Sequence, residues 1–286
     1  MKHHFADFLY REEDYWTTIP NRERFAYSAN EDLIDKHLVK IITINKHDNC
    51  WRQVFDCHNI EEITLHDASK EQIQAIGALT KVKRLRITFL RTNDLHFLKN
   101  LINIEELILE YVSGFSDLSP LLMLTKLKSL HLENLRRVSN FDGLRGLNSL
   151  RYLYISGTLD WSQPIENFNF LEGIPNLEIF SLGFIINRSQ YPALLPILSL
   201  KSLKKIQIGR STFNVKEYAL LEAAIPHIDG AKRNICWEYN NRIEFIGKHG
   251  GWVSVNSPLA RQRCEEFKQK YEKMKMDAEI IINKEY

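Results

Sequence analysis

Hydrophobic residues recur along the middle of the chain with a fixed short spacing. Each unit carries apolar residues at its positions 1, 4 and 6, and the unit then repeats further along the chain. The eight units place these residues at Val39, Ile42, Ile44; Ile60, Ile63, Leu65; Val82, Leu85, Ile87; Ile104, Leu107, Leu109; Leu127, Leu130, Leu132; Leu150, Leu153, Ile155; Leu177, Phe180, Leu182; and Leu203, Ile206, Ile208. Alternation at positions 4 and 6 predicts one short β-strand in each unit.

A second pattern of apolar residues, spaced three positions apart, precedes the predicted strands. Leu95, Leu98 and Leu101 lead into Ile104, for example. Steps of three predict a helical or 3₁₀ turn. A strand followed by such a turn, repeated about every 20–29 residues, is the leucine-rich repeat signature. We therefore predict an α/β solenoid of about eight coils over residues 38–228.

The segment 115–127, FSDLSPLLMLTKL, resembles the short-helix repeats of bacterial internalins and related leucine-rich repeat proteins. The resemblance implies a horseshoe with a parallel β-sheet on its concave face. The family usually has Asn or Cys at position 9 of each unit, where the side chain bonds the backbone of neighbouring turns. Here position 9 holds His47, Ala68, Leu90, Val112, Leu135, Thr158, Ile185 and Ser211. We expect water or local turns to satisfy the backbone there, and coils that are less regular than in a consensus repeat protein.

The two ends of the chain are expected to cap the solenoid, since end coils otherwise expose their core. Residues 1–37 form the predicted N-terminal cap, with a short helix over residues 30–38 and Asn30 as its N-cap. Its apolar side chains are Phe5, Phe8, Leu9, Tyr10, Tyr15, Trp16 and Phe25. Residues 229–286 form the predicted C-terminal cap, a β-hairpin followed by an amphipathic helix over 257–283.

Side chains at positions 3, 5 and 7 of each strand are predicted to point out of the concave face, with position 8 at its rim. The candidate partner-binding residues on this surface are Arg84, Arg86, Glu106, Ile108, Glu110, Tyr111, His131, Glu133, Tyr152, Tyr154, Ile179 and Phe184. Tyr and Arg are enriched at binding hot spots. Neighbouring bands of opposite charge also predict cross-strand pairing, and the two interpretations are compatible.

Composition narrows the choice of partner. The 286 residues are 44% hydrophobic and 26% charged, with a net charge of +2. This balance gives no electrostatic case for nucleic acid or an anionic membrane.

No apolar run reaches the roughly 18 residues of a membrane helix, and no signal peptide is evident, so we expect a cytoplasmic protein. Internalins, by contrast, are secreted.

Sequence motifs for catalysis or metal binding are weak. Phosphate-binding loops, nucleophile elbows and H-E-x-x-H metal helices are all missing from the sequence. His47, Cys50, Cys57 and His58 form a loose cluster, but its cysteines are seven residues apart, unlike a zinc-binding pair. We therefore expect no cofactor, no metal and no catalysis.

These observations favour a non-catalytic module that binds another protein on its concave face, as a monomer or a homodimer. The more specific hypothesis is a bacterial immunity or inhibitor protein that neutralises a toxin or effector. One alternative is an enzyme or substrate adaptor whose active segment lies in 229–286, with His249, Glu244 and Cys264 as candidates. Another is a secreted adhesion module.

Overall fold

The computed structural model describes residues 2–4, 8–12, 15–19 and 25–285, and side chains from residue 26 to residue 284. The β-strands are β1 Lys2–His4, β2 Phe8–Glu12, β3 Tyr15–Ile19, β4 Phe25–Ser28, β5 Ile41–Asn45, β6 Glu62–His66, β7 Arg84–Thr88, β8 Glu106–Glu110, β9 Ser129–Glu133, β10 Tyr152–Ser156, β11 Gln163–Ile165, β12 Ile179–Gly183, β13 Ile185–Asn187, β14 Lys205–Ile208, β15 Cys236–Tyr239, β16 Arg242–Phe245 and β17 Trp252–Ser254. The α-helices are α1 Lys70–Ala75, α2 Val215–Ala224 and α3 Ala260–Glu285.

A ten-stranded sheet runs through the molecule in the order β1-β4-β5-β6-β7-β8-β9-β10-β12-β14. Strand β1 is antiparallel to β4, and every later neighbour pair is parallel. Equivalent repeat positions are paired, so Arg84 lies opposite Glu62 on one side and Glu106 on the other. This register confirms the predicted solenoid with its parallel sheet on the concave face.

The core lies between the sheet and a stack of short turns. The apolar residues at positions 1, 4 and 6 are buried in every coil. Opposite the strands, the residues spaced three apart lie within or next to short 3₁₀ helices. These helices are Trp51–Asp56, Ile76–Ala78, His96–Asn100, Ser119–Met123, Asp142–Leu144, Asn169–Gly173 and Leu195–Ser199. Leu95, Leu98 and Leu101 are fully or almost fully buried. Each coil thus completes its core only by packing on its neighbours.

Left-handed backbone at position 8 turns the chain sharply at the end of several strands. Asp67, Phe89, Tyr111, Asn134 and Phe184 have φ between 46° and 57°. In the first four of these coils, the position-8 amide donates to the position-7 carbonyl of the next coil; the Tyr111 amide, for example, lies 3.0 Å from the Glu133 oxygen. The turn therefore extends the hydrogen bonding of the parallel sheet by one residue.

Glutamine side chains replace part of the missing asparagine ladder, and two of them, Gln72 and Gln163, are buried. The Gln163 side chain accepts from the Leu135 amide at 3.0 Å and donates to the Val138 carbonyl at 2.6 Å. Gln72 donates to the Asn45 carbonyl and caps its own helix α1 together with Ser69. Gln53 accepts from the Leu33 amide and donates to the Ala29 and Glu31 carbonyls. The repeat thus satisfies its turn backbone with side chains outside position 9.

The N-terminal segment differs from the helical cap expected from the sequence. Its described parts contain strands β1 to β4, and the predicted helix over 30–38 is only a 3₁₀ turn at Lys36–Leu38. Asp35, not Asn30, caps that turn by accepting from the His37 amide. A run of three residues is too short for an α-helix, and Asn30 lies in a turn directly after β4. Residue Phe5 and the side chains of Phe8, Leu9, Tyr10, Tyr15, Trp16 and Phe25 lie outside the described part.

The C-terminal segment contains a three-stranded antiparallel sheet, β15-β16-β17, followed by α3. Asn240 and Asn241 both have positive φ and close the two-residue turn between β15 and β16. Helix α3 packs on α2, and Tyr271 donates to Glu222 at 3.0 Å. Tyr271 and Ala278 are buried, with Phe267 and Met274 packed alongside. The expected amphipathic stripe therefore faces the last coil, although Leu259 lies before the helix and is exposed.

Candidate functional site

Opposite charges pair along the first half of the concave face. The Arg84 guanidinium lies between two carboxylates, 3.3 Å from Glu62 and 3.2 Å from Glu106. Next to it, Arg86 contacts Glu110 at 2.8 Å. Both neighbouring carboxylates raise the pKa of Arg84 against the opposing effect of burial. The predicted cross-strand pairing of charges is therefore present, and the carboxylates of Glu62, Glu106 and Glu110 are largely buried within it.

Several residues that were predicted to contact a partner offer little surface. Tyr152 and Ile179 are 2% and 1% exposed and pack together with Tyr154. Ile108 is buried as well. Parallel strands lie about 4.8 Å apart, so large side chains on adjacent strands cover one another. In this arrangement these residues support their neighbours, and the accessible part of the candidate surface lies elsewhere.

The accessible aromatic surface lies at the rim, at position 8. Phe89 and Tyr111 are 52% and 39% exposed, and their rings stack with centroids 4.8 Å apart and planes 16° from parallel. His66 extends the row through an edge contact with Phe89 at 5.4 Å. Phe184 forms a second exposed position and is 51% exposed. We call His66, Phe89, Tyr111 and Phe184 the aromatic rim.

Backbone strain makes the aromatic rim unusual. Bulky side chains avoid left-handed backbone, which costs on the order of 1–3 kcal/mol for each residue. Phe89, Tyr111 and Phe184 all adopt it and are nevertheless exposed rather than packed in a core. The sequence analysis predicted Tyr111 and Phe184 as candidates and position 8, where Phe89 also lies, as the rim, but it did not indicate that the rings stack. The only available signal was three aromatic residues at one repeat position.

A second polar group lies deeper in the concave face. Atoms of Glu110, His131 and Glu133 that could ligate a metal all lie within 4.8 Å of one another. The imidazole Nε2 of His131 is buried, has no hydrogen-bond partner and lies 3.5 Å from a Glu133 carboxylate oxygen. Tyr154 packs against the His131 ring at 4.4 Å. All four residues were candidates from the sequence, but as parts of a protein-binding face.

The cysteines singled out in the sequence differ in their exposure and surroundings. Cys264 packs with Cys236 and Phe245 in an apolar cluster of the C-terminal sheet, where burial raises the pKa of the Cys236 thiol to about 11. Protonated thiols are poor nucleophiles. Near the first coils, Cys50 is exposed, whereas Cys57 is buried and its sulfur lies 3.5 Å from the Gln53 carbonyl.

Comparison with known proteins shows similarity in fold. No protein-family model and no curated protein matches the sequence. The structure is similar to an internalin (inlF) from Listeria monocytogenes, with 18% identity, a TM-score of 0.45 and coverage of 68% of this chain and 60% of that one. Internalin C2 (inlC2) from the same organism has 22% identity and a TM-score of 0.41, with coverage of 60% of this chain and 69% of that one. A leucine-rich repeat protein from Leptospira interrogans has 13% identity and a TM-score of 0.37, with coverage of 63% of this chain and 58% of that one.

The sequence repeat and the parallel sheet together define a leucine-rich repeat solenoid. The chain spans 60% of the length of the first internalin structure, so the similarity does not extend over that whole protein. Among the described residues, no helix combines the length and apolar composition that crossing a bilayer requires.

Proposed function

We propose that this solenoid is a non-catalytic module that binds another protein along its concave face and aromatic rim. The observation that carries the proposal is the exposed stack of Phe89 and Tyr111. Aromatic side chains dominate interface energetics, and covering a half-exposed ring contributes on the order of 1 kcal/mol from area alone. A strained backbone that holds two such rings outward supports a role in binding rather than in folding.

Charges around the rim favour a protein partner over an apolar ligand. Asp67, Glu133 and the Arg86–Glu110 pair lie near the stacked rings along the strands and their ends. An apolar centre with a charged surround is typical of protein interfaces. Mixed charge of this kind does not form the continuous basic stripe that nucleic acid requires.

The finer proposal is a bacterial immunity or inhibitor protein that neutralises a toxin or effector. It rests on the exposed aromatic rim beside the concave face, together with a C-terminal segment in which the candidate thiol of Cys264 is partly buried in apolar packing. We place this activity in the cytoplasm, consistent with the sequence expectation.

Affinity capture from a native lysate, followed by activity titration, tests the proposal. We expect one stoichiometric partner, and we expect its own activity to fall to zero as one equivalent of this chain is added. A partner whose activity is unchanged in the complex would leave a binding module and overturn the inhibitor role. Failure to capture any protein would overturn both.

A further inference from the structure

We infer that Glu110, His131 and Glu133 bind a divalent transition-metal ion of the zinc class on the concave face. Glu110 ends β8, and Glu133 lies directly opposite it at the end of β9. His131 is two residues earlier on β9 and therefore shares the face of Glu133. The fold thus brings three ligand atoms to within 4.8 Å of one another without help from a loop.

The position of the His131 imidazole supports metal binding. Its Nε2 is buried and neither accepts nor donates a hydrogen bond, which is unfavourable for a buried polar atom. The nearest carboxylate oxygen, on Glu133, is 3.5 Å away, which is long for a hydrogen bond. Two ligands at zinc bond lengths of about 2.1 Å lie roughly 3.4 Å apart in a tetrahedral site. The observed separation therefore fits two ligands of one metal better than a direct contact.

Neighbouring side chains hold two of the ligands in place. The Arg86 guanidinium donates to Oε2 of Glu110 from Nε at 2.9 Å and from Nη2 at 2.8 Å. Such partners orient a ligating carboxylate, and their loss typically costs about 10–100-fold in metal affinity. The ring of Tyr154 packs on His131 and restricts its rotation. Arg86 also offsets one of the two carboxylate charges.

The ligand set selects the class of metal. One imidazole nitrogen and two carboxylate oxygens suit Zn²⁺ and its neighbours in the first transition row, whereas Ca²⁺ and Mg²⁺ prefer oxygen ligands alone. Three protein ligands leave a fourth position open, as in catalytic zinc sites. Water or a side chain of a bound protein can fill that position. The inference stands independently of the proposed function, although it departs from the sequence expectation of no metal.

Calorimetric titration of the metal-free full chain with Zn²⁺ tests the site, and Co²⁺ absorption reports the ligands. We expect one ion per chain, a Co²⁺ spectrum without thiolate charge-transfer bands, and a rise in melting temperature with Zn²⁺. His131→Gln and Glu133→Gln should each weaken binding by at least about tenfold, the lower end of the effect of losing a supporting residue. Circular dichroism checks that both variants fold, and Glu133, at the more exposed end of the strand, is the milder change.

Two controls separate this site from adventitious binding. His96→Gln alters an exposed histidine that contacts Asp94 and should leave the affinity unchanged. Cys236→Ser with Cys264→Ser removes two thiols of the C-terminal segment, which are not part of the site, and should also leave the affinity unchanged. The inference is overturned if no saturable binding occurs, or if folded His131→Gln and Glu133→Gln proteins bind Zn²⁺ as tightly as the wild type.

Discussion

Phe89 and Tyr111 stack with their centroids 4.8 Å apart although both hold the left-handed backbone that bulky residues avoid. The relationship arises from the repeat, because equivalent positions in consecutive coils lie side by side at the strand spacing. It leaves two aromatic faces at an accessible edge of the sheet. Some residues maintain the solenoid, and others give it a binding surface.

Gln163 is expected to be essential for the stability of the coils it joins. Gln163→Leu removes the acceptor for the Leu135 amide and the donor for the Val138 carbonyl. Each buried backbone group left without a partner costs about 1–3 kcal/mol. Urea unfolding should show a loss of that order or more. Gln262→Ala, at an exposed helical glutamine that contacts Glu266, should change stability by less than about 0.5 kcal/mol. Equal losses of stability in the two variants would contradict the role of Gln163 in satisfying the turn backbone.

Arg84 is expected to stabilise the concave face more than a surface ion pair does. Arg84→Met removes the cation between the largely buried carboxylates of Glu62 and Glu106. Because Arg84 itself is partly exposed, we expect a loss of about 1–2 kcal/mol, below the cost of breaking a fully buried pair. The matched control is Arg145→Met, whose exposed pair with Glu172 should contribute less than about 0.5 kcal/mol. Denaturant midpoints that shift equally would contradict this assignment.

Periodicity was enough to predict the solenoid. Positions 3 to 7 of the first seven units form the observed strands, as in Glu62–His66 and Arg84–Thr88, and positions 3 to 6 do so in the eighth. Strand alternation and core burial impose the same spacing. The sequence also predicted antiparallel strands and a following helix in the C-terminal segment. The prediction of a helix over residues 30–38 was wrong, because local composition could not distinguish a 3₁₀ turn from an α-helix.

The binding surface was harder to predict than the fold. Strand alternation indicates which side chains point away from the core, but it does not indicate how far neighbouring side chains cover them. Tyr152 and Ile179 point outward as predicted, yet their neighbours bury them. The left-handed backbone of Phe89 has no signature in its own side chain. The proximity of Glu110, His131 and Glu133 depends on the register of two strands and on their rotamers, and neither is visible in a list of residues.

Glu217 is expected to make stability depend on pH. Its buried carboxylate accepts from the Ala193 amide at 2.7 Å and the Leu194 amide at 3.2 Å, and burial raises its pKa above the ordinary value of 4.5. The folded state therefore binds this proton more readily than the unfolded state does, so the contribution of Glu217 to stability falls as pH rises above about 4.5.

The variant Glu217→Gln isolates that contribution, because it removes the titrating group. The stability of the variant relative to wild type should increase from acidic to neutral pH in parallel urea titrations. The opposite slope would mean that the backbone hydrogen bonds to the carboxylate outweigh its burial. A variant with the same pH profile as wild type would show that Glu217 does not titrate differently in the two states.

Thiol reactivity is expected to follow exposure and pKa. Burial raises the pKa of Cys236 to about 11 from the ordinary 9.0, so its thiolate fraction should be about a hundredfold below that of an unperturbed cysteine. Alkylation of the native protein at mildly alkaline pH, read by peptide mass spectrometry, should modify the exposed Cys50 first and Cys236 much later. Rapid modification of Cys236 would revive a reactive role for the C-terminal segment.

The aromatic rim is expected to bind the partner. Phe89→Asn with Tyr111→Asn removes both rings while keeping a residue that tolerates left-handed backbone, as Asn134 already does at the same repeat position. Such a protein should be at least as stable as wild type. Ile102→Asn provides the control, since Ile102 is equally exposed but lies before β8 rather than at the rim.

Quantitative affinity capture with the wild type, Ile102→Asn and the rim double variant is the direct test of whether the aromatic rim binds the partner. We predict that wild type and Ile102→Asn recover the same stoichiometric partner, and that the folded rim double variant loses at least about nine-tenths of it, as expected for the loss of two hot-spot aromatics. Full recovery of that partner by the rim double variant would contradict the account.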